Sequence, residues 1–363
     1  MLTEAFICQN SQNTLRNGSI TVQSPSNIAL VKYWGKKENQ IPANPSISFT
    51  LSKCKTTTTL HYKKLEKPTT NFQFEVFLEG DKQDDFKPKI EAFFKRIEQY
   101  VPFINDFEYK IETSNSFPHS SGIASSASGM SALALCIMEM EKKIHPEITE
   151  TYFTKKTSFL ARLGSGSACR SLEGDLVCWG THKNIEGTSD LFGVKYPYSV
   201  HENFKNYQDT ILLVDKGEKQ VSSTVGHNLM HNHPYAESRF SQAHDNLDKL
   251  ISVFKSGNLK AFIEIVESEA LTLHAMMMTS LPYFILMKPN TLNIINAIWN
   301  YRKQTNSNLC FTLDAGANVH LLYPENEKEE ILAFINSQLV AYCQNEHYIC
   351  DVIGFGAKIL DHK

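Results

Sequence analysis

The feature that most constrains this chain is a helix candidate at residues 126–143, which is apolar on nearly every face. A helix without a polar face is usually buried, so the rest of the fold must cover it in layers. Small and hydroxyl-bearing residues fill the segment 116–129 that leads into it from a strand pattern. The free N–H groups and positive dipole end of such a helix start suit an anion such as a polyphosphate. The same composition also fits a Ser/Gly-rich turn that caps a helix, and no Gly-Lys-Ser/Thr follows that would make a Walker A loop.

Hydrophobic spacing divides the chain into a strand-rich first third and a more helical second half. Apolar and polar residues alternate at 20–22, 47–51, 72–78 and 107–111, which predicts strands. Further helices are predicted at 87–100, 148–163, 240–254, 259–278, 291–303 and 327–344, and short strands at 210–215, 309–313, 319–323 and 348–353. Strands and helices mix without strict alternation, which favours an α+β fold.

The length of 363 residues is typical of about two domains. Polar stretches at 181–190 and 196–208 interrupt the apolar pattern between the strand-rich and the helical parts. They place a domain boundary near residue 205, which predicts an N-terminal domain 1–205 and a C-terminal domain 206–363.

Charge and cysteine content limit the classes of binding partner and the cellular compartment that the sequence predicts. Lys and Arg number 36 against 39 Asp and Glu, a net charge of −3, so the chain lacks the basic excess typical of nucleic-acid binders. The most apolar long window, 270–287, contains His274 and Pro282, which argues against a membrane span. Eight scattered cysteines without a C-x-x-C pair indicate free thiols in a reducing compartment. With no signal-peptide pattern at the start, we expect a cytoplasmic protein without nucleic-acid or membrane partners.

Three further segments carry candidate chemistry. Residues 24–37 place Lys32 and Lys36 around aromatic residues and a glycine, where they could fix an anion, although solvated lysines are common. Residues 164–171 combine glycines and serines with Arg170, whose guanidinium could bind a carboxylate or phosphate. A helix-packing turn would have the same composition. Asp314 follows a strand pattern and precedes Ala-Gly, so it could act as a base or orient a hydroxyl, or belong to an ordinary turn.

Two other patterns point to chemistry that the sequence does not favour. His227 and His231 are four residues apart, as on one face of a helix, but no Glu follows His227 and Pro234 ends the run, so zinc is disfavoured. No Gly-x-Ser-x-Gly elbow is present, so a serine hydrolase is unsupported.

Taken in order, the motifs resemble those of the diphosphomevalonate decarboxylase family of the GHMP kinase superfamily. They are Asn-Ile-Ala-Leu-x-Lys-Tyr-Trp-Gly-Lys from residue 27, Phe-Pro-x-x-x-Gly-x-Ala-Ser-Ser-Ala-x-Gly from 117, Gly-Ser-Gly-Ser-Ala-Cys-Arg-Ser-Leu from 164 and Asp-Ala-Gly-x-Asn from 314. The resemblance implies a two-domain α+β fold with the active cleft between the domains, and a homodimer. It implies the mevalonate pathway of isoprenoid biosynthesis, in which ATP, with Mg²⁺, and mevalonate 5-diphosphate give isopentenyl diphosphate, CO₂, ADP and phosphate.

The resemblance also implies roles for individual residues. Asp314 would orient or deprotonate the substrate hydroxyl, Lys32 would lie close to Asp314 and the transferred phosphoryl group, and Arg170 would hold the substrate carboxylate. The rest of the substrate would be held by Tyr33, Lys36, Ser165, Gly166, Ser167, Ser222 and Ser223. The ATP phosphates would lie on Ser120, Ser121, Gly122, Ala124, Ser125 and Ser126, with Ser126 as a Mg²⁺ ligand.

The chain departs from the family pattern at a few positions. His119-Ser120-Ser121 replaces the usual Thr-Ala-Ala, which could change the nucleotide preference. Glu173 and Asp175 stand where an aromatic residue and glycine are common, and carboxylates so close in sequence to Arg170 predict a weaker anion site there. Two alternatives stay open: a related kinase that phosphorylates mevalonate or its phosphate without decarboxylation, and a binding protein of this fold that has lost catalysis. Retention of Asp314, Lys32 and Arg170 together argues against the kinase, and retention of Asp314 and Lys32 argues against the binding protein.

Overall fold

The structure is a computed structural model that describes residues 3–8, 14–69, 71–118, 123–217 and 223–362. The strands are β1 (Asn17–Val31), β2 (Ser46–Lys64), β3 (Gln73–Leu78), β4 (Asp81–Lys82), β5 (Phe107–Asn115), β6 (Leu176–Trp179), β7 (Val194–Lys195), β8 (Gln208–Leu212), β9 (Cys310–Leu313), β10 (Val319–Tyr323), β11 (Tyr348–Val352) and β12 (Lys358–His362). The α-helices are α1 (Lys87–Ile97), α2 (Ser125–Ile144), α3 (Glu150–Gly164), α4 (Ser223–Asn228), α5 (Ala236–Ser256), α6 (Leu259–Met278), α7 (Pro289–Thr305) and α8 (Lys328–Phe334).

The strands form two sheets. The first has the order β12-β1-β2-β5-β3-β4, with β6 also pairing with β2 and β7 with β6. All its pairs are antiparallel except β3 with β5. The second has the antiparallel order β11-β8-β10-β9. Strands and helices thus mix as predicted, and the α+β, two-domain organisation is confirmed.

The apolar helix predicted at 126–143 is α2, and it is buried along most of its length. It packs against β1 and β2 on one side and against α3 on the other. Apolar side chains from α1, α2, α3 and the first sheet form one continuous core cluster. The layers expected around a helix without a polar face are therefore present.

A second core cluster joins the two parts of the chain. Ile28 and Leu30 of β1 share it with Leu247 of α5 and Val266 of α6. Helix α6 contacts both β1 and β9, strands of different sheets. The residues that follow β1 and β9 are thereby brought near each other, although they lie far apart in sequence.

Most predicted elements match the structure within a few residues, but the helix predicted at 327–344 is confirmed only in its first part. Helix α8 ends at Phe334 and continues as a wider π-helical turn, Ile335–Leu339, and a 3₁₀ turn, Val340–Tyr342. Phe334 and Leu339, five residues apart, both pack in the core beneath the second sheet. A π-helical turn places residues at this spacing on one face, whereas a regular α-helix does not.

The last strand of the described chain pairs with the first. Strand β12 pairs with β1 at the edge of the first sheet, opposite Ile20–Gln23. The domain boundary near residue 205 stays a prediction. Within the described ranges, no helix is both long and apolar enough to cross a membrane.

Candidate active site

Lys32 and Asp314 meet where the two sheets approach each other. Lys32 directly follows β1, and Asp314 directly follows β9. The Lys32 Nζ lies 3.4 Å from the Asp314 Oδ1 and donates to the Ala29 carbonyl at 2.6 Å. The lysine side chain is 2% exposed and the aspartate side chain 29%. The pair therefore joins a buried cation to a partly exposed carboxylate.

The surroundings of Lys32 shift its pKa in opposite directions. Burial lowers the pKa of Lys32, because desolvation disfavours the ammonium. The negative charges of Asp314 and Glu269 raise the pKa, and Arg170 lowers it. The protonated form of this buried lysine thus depends on the two carboxylates that face it.

Arg170 is a buried cation of the same region. It lies on a short 3₁₀ helix, Gly166–Ser171, that follows α3. Its Nη1 donates to the Ser46 hydroxyl, its Nε lies 3.4 Å from the Asn27 Oδ1, and its guanidinium lies over the Trp179 ring. Among the described residues no carboxylate forms an ion pair with it. A buried guanidinium bonded only to neutral groups is a site for an anionic ligand.

Tyr33 adds a polar group without a partner. Its ring lies against Trp179 and His227, with centroids 4.6 and 4.2 Å apart. Its hydroxyl is buried and, within the described part of the chain, has no hydrogen-bond partner. Burial also raises the pKa of Tyr33, which keeps the hydroxyl protonated as a donor. A buried hydroxyl left unpaired is costly, so a bound polar ligand would stabilise this arrangement.

Gly166 lies directly beneath Tyr33. A Cβ at this position would come within 2.9 Å of both the Tyr33 hydroxyl and the Trp179 ring. Only glycine leaves room for this close approach, because any larger residue would push the tyrosine aside.

His227 has a role that sequence reasoning missed. Its Nδ1 accepts the Gly35 N–H at 3.0 Å, and its ring lies between those of Tyr33 and Trp34. Burial lowers its pKa to about 3, with smaller contributions from Lys36 and Arg170, so the ring is neutral. His233 is likewise bonded to the Met276 carbonyl. The described residues contain no group of three or more His, Cys, Asp or Glu that could hold a metal ion.

The other predicted substrate residues surround this cluster. Lys36 is half-buried, and burial lowers its pKa. Ser165 follows α3 and is the residue that precedes the 3₁₀ helix, and the Ser167 carbonyl accepts from Asn27. Ser223 is the first residue of α4, and Ser222 lies outside the described residues.

The predicted nucleotide side lies at the start of α2. Ala124 has the left-handed φ of +46° just before the helix, and Ser125 and Ser126 form its first turn. The Ser126 hydroxyl accepts a hydrogen bond from the Lys89 ammonium and lies 3.4 Å from the Ser165 hydroxyl. Serines from the two glycine-rich segments therefore touch each other. Ser120, Ser121 and Gly122 lie outside the described residues.

A cavity of about 250 Å³ opens beside this helix start. Its polar lining includes Lys89, Ser125, Ser126, Asn115 and three threonines, and most of the rest is apolar. Lys89 is a functional candidate that sequence reasoning missed, although its position next to Pro88 in the first turn of α1 was visible in the sequence. The cavity combines an apolar wall with a cation and hydroxyls at one end, as a nucleotide needs.

The two carboxylates expected to weaken Arg170 are engaged elsewhere. Glu173 accepts the backbone N–H of Lys195 at 3.0 Å, and Asp175 lies 3.5 Å from the Lys195 Nζ. Neither carboxylate forms an ion pair with Arg170 in the described structure. The acidic residues at these positions therefore leave the guanidinium available.

An α+β fold with a cavity beside a helix start, and with the buried cations Lys32 and Arg170 near the carboxylate of Asp314, is typical of small-molecule phosphotransfer enzymes. Two family models narrow the class. The model of the diphosphomevalonate decarboxylase-like N-terminal domain matches residues 24–191, and that of the mevalonate 5-diphosphate decarboxylase C-terminal domain matches residues 210–353. Together they span most of the chain, and the chain belongs to the diphosphomevalonate decarboxylase family.

Individual relatives agree with this assignment. The diphosphomevalonate decarboxylase of Aspergillus fumigatus is 26% identical over 88% of this chain and 80% of its own length. Mevalonate diphosphate decarboxylase from Staphylococcus aureus has 27% identity and a TM-score of 0.80, covering 95% of this chain and 98% of its own. A solved complex of MDDEF with MVAPP, AMPPCP and magnesium has the same identity and TM-score, covering 95% of this chain and 99% of its own.

Proposed function

We propose that this chain catalyses the ATP-dependent decarboxylation of mevalonate 5-diphosphate to isopentenyl diphosphate, with release of CO₂, ADP and phosphate. The observation that carries the proposal is the buried Arg170, which lacks a carboxylate partner among the described residues. It shares its surroundings with Lys32 and Asp314, a cation and a carboxylate suited to phosphoryl transfer. The relatives with this activity match the chain along most of its length.

The reaction requires a good leaving group at C3 of the substrate, because its tertiary hydroxyl leaves poorly. Asp314 orients this hydroxyl and accepts its proton as the oxygen attacks the γ-phosphoryl group of ATP, and ADP departs. The C3 phosphate then leaves with its bonding electrons. The C–C bond to the neighbouring carboxylate breaks, its electron pair forms the alkene, and CO₂ is released.

Charge placement supports this sequence of steps. Lys32, 3.4 Å from Asp314, neutralises the negative charge that gathers around the transferred group. Arg170 holds the carboxylate through its planar guanidinium. We assign the diphosphate and the remaining substrate contacts to Tyr33, Lys36, Ser165, Gly166, Ser167, Ser222 and Ser223.

The nucleotide is assigned to the start of α2. Its phosphates would lie on the loop and first turn that contain Ala124, Ser125 and Ser126, where N–H groups and the helix dipole favour anions. Its base would occupy the cavity of about 250 Å³. The oxygen of Ser126 fits Mg²⁺, which prefers few protein oxygens together with substrate phosphates. When bound, Mg²⁺ supplies positive charge to the ATP phosphates.

Three broader assignments belong to the same proposal. The protein would work in the cytoplasm, which the free state of its eight cysteines supports. It would form a homodimer, which sedimentation of the purified protein tests. Its domains would divide near residue 205, which limited proteolysis tests.

The deciding experiment measures ADP and CO₂ separately in one reaction with ATP and mevalonate 5-diphosphate. The proposed function predicts equal amounts of the two products. ADP in excess of CO₂ would instead indicate the kinase alternative, which the named relatives do not favour.

A further inference from the structure

The backbone of Lys32 is held by an ion pair that lies behind the active site. The Lys32 N–H donates to the Glu269 Oε2 at 2.9 Å, and the Lys32 carbonyl accepts from the Arg239 Nη2 at 3.0 Å. Arg239 lies on α5 and Glu269 on α6. The residue that directly follows β1 is therefore fixed at both its backbone groups by two helices of the second half of the chain.

The ion pair is closed to solvent and internally well connected. Both side chains are fully buried, and the Arg239 Nη2 lies 2.6 Å from the Glu269 Oε2. The Arg239 Nη1 lies 3.2 Å from the Glu269 Oε1, so the contact is bidentate. Asn246 donates to the same Oε1 at 2.7 Å. Such a fork leaves little freedom to either group.

Stability alone explains this pair poorly. Apolar residues of similar volume often replace a buried ion pair at no cost in stability, because desolvation offsets the attraction. The pair does supply hydrogen-bonding groups that are held in fixed orientations. These groups bond to the backbone of Lys32, whose ammonium meets Asp314.

We infer that Arg239 and Glu269 are positioning residues that set the place of the Lys32 ammonium for the proposed reaction. The inference rests on the proposed function, because it gives Lys32 its task at the transferred phosphoryl group. Arg239 and Glu269 both bond to the backbone of Lys32. The negative charge of Glu269 also raises the pKa of the Lys32 ammonium. A second contact agrees with this, since Asn44 also donates to the Lys32 carbonyl, at 2.9 Å.

The test removes the pair without leaving a lone buried charge. In the double variant Arg239→Met/Glu269→Met the volume is kept and neither partner of the pair is left as a lone charge. The Lys32 N–H and the Asn246 amide lose their acceptor, so the melting temperature should fall by no more than about 10 °C. A misplacement of Lys32 by about 1 Å should lower kcat by about 10²-fold. The KM of each substrate should change by less than about threefold, because Lys32 acts mainly in the transition state.

The matched control is another fully buried pair, Glu141 with Lys156, which lies at the far end of α2. Glu141→Met/Lys156→Met should keep kcat within about twofold of the wild type, since its contacts do not include Lys32. A loss of kcat confined to the first double variant supports positioning. Equal kcat values for a folded first double variant and the wild type would overturn it.

A single change keeps the test decisive if the double variant does not fold. Arg239→Lys keeps the positive charge opposite Glu269 but loses the guanidinium fork that also reaches the Lys32 carbonyl, and it should lower kcat by about tenfold. Unchanged kcat in that variant would overturn the inference. A wild-type protein that releases neither ADP nor CO₂ would overturn the proposed function, whereas an active wild type with equally active variants would overturn only the positioning role.

Discussion

The substrate side and the nucleotide side of the site hold their side chains in different ways. On the substrate side, Lys32 and Arg170 are almost completely buried and hydrogen-bonded to neighbouring groups. On the nucleotide side, Ser125 and Ser126 are half-buried and line an open cavity. Folding alone therefore fixes the side chains of Lys32 and Arg170. Ser125 and Ser126 instead gain many of their contacts only when the nucleotide binds. Changes on the substrate side should therefore lower kcat, and changes on the nucleotide side should raise the KM for ATP.

The largest effect is expected at Asp314. Asp314→Asn keeps the size of the side chain but removes the charge next to Lys32, so kcat should fall by at least about 10²-fold. The KM values should change far less. Steady-state kinetics test this, with Asp248→Asn as control, because Asp248 has a similar exposure of 28% and pairs with Lys183 outside the site. Near-normal turnover in Asp314→Asn would remove Asp314 from the mechanism.

Arg170 comes next. Arg170→Lys replaces the planar guanidinium, which can bind a carboxylate through two N–H groups, by an ammonium with one point charge. The transition state should therefore lose about 2–4 kcal/mol of stabilisation, measured from kcat/KM. ADP and CO₂ formation should fall together. Arg302→Lys, which changes an arginine paired with Glu267, serves as the control. A fully active Arg170→Lys variant would show that Arg170 is structural and that another group holds the carboxylate.

A change at Ser126 tests the nucleotide side of the site. In Ser126→Leu a bulky side chain at the start of α2 should keep the phosphates from the N–H groups, raising the KM for ATP by about tenfold. The KM for mevalonate 5-diphosphate is the internal control and should stay constant. A folded variant with unchanged ATP dependence would contradict the assignment of the phosphate loop.

The smallest effect is a pH dependence of stability on the substrate side. The folded pKa of His227, about 3, lies below its ordinary value, so its contribution is complete above about pH 6.5 and is lost as the pH falls towards 3. This loss should reach about 1.4 kcal/mol of unfolding free energy at pH 5.5.

Urea unfolding at pH 7 and pH 5.5 measures this loss. His227→Asn, which keeps an acceptor for the Gly35 N–H, should be less sensitive to acid than the wild type by that amount. His231→Asn, at an exposed position of the same segment, is the control. Equal acid sensitivity in the wild type and His227→Asn would show that His227 does not cause the loss.

Local patterns predicted much of the fold. The apolar spacing of α2 and α6 and the stop at Gly257, with its φ of +74°, depend on neighbours in sequence and were readable from it. The π-helical turn at Ile335–Leu339 was not, because packing against the second sheet decides it. The motifs likewise named the residues of the candidate site, whose roles stay predictions.

The surroundings of those residues were not predictable. Arg239 and Glu269 carry no motif, and their helices meet Lys32 only after the chain has folded. The same holds for His227, because its spacing to His231 carries no signal of the hydrogen bond to Gly35. Side chains that act by supporting others leave no regular spacing, since their partners are distant in sequence.

The pairing of β12 with β1 has a consequence for protein synthesis. A ribosome releases β1 early, but it makes the strand that covers Ile20–Gln23 about 340 residues later. At about 5–20 residues per second, the nascent chain carries an open sheet edge for about 17–68 s. Open edges invite pairing with other chains, so translation that stalls before Lys358 leaves a product exposed to aggregation.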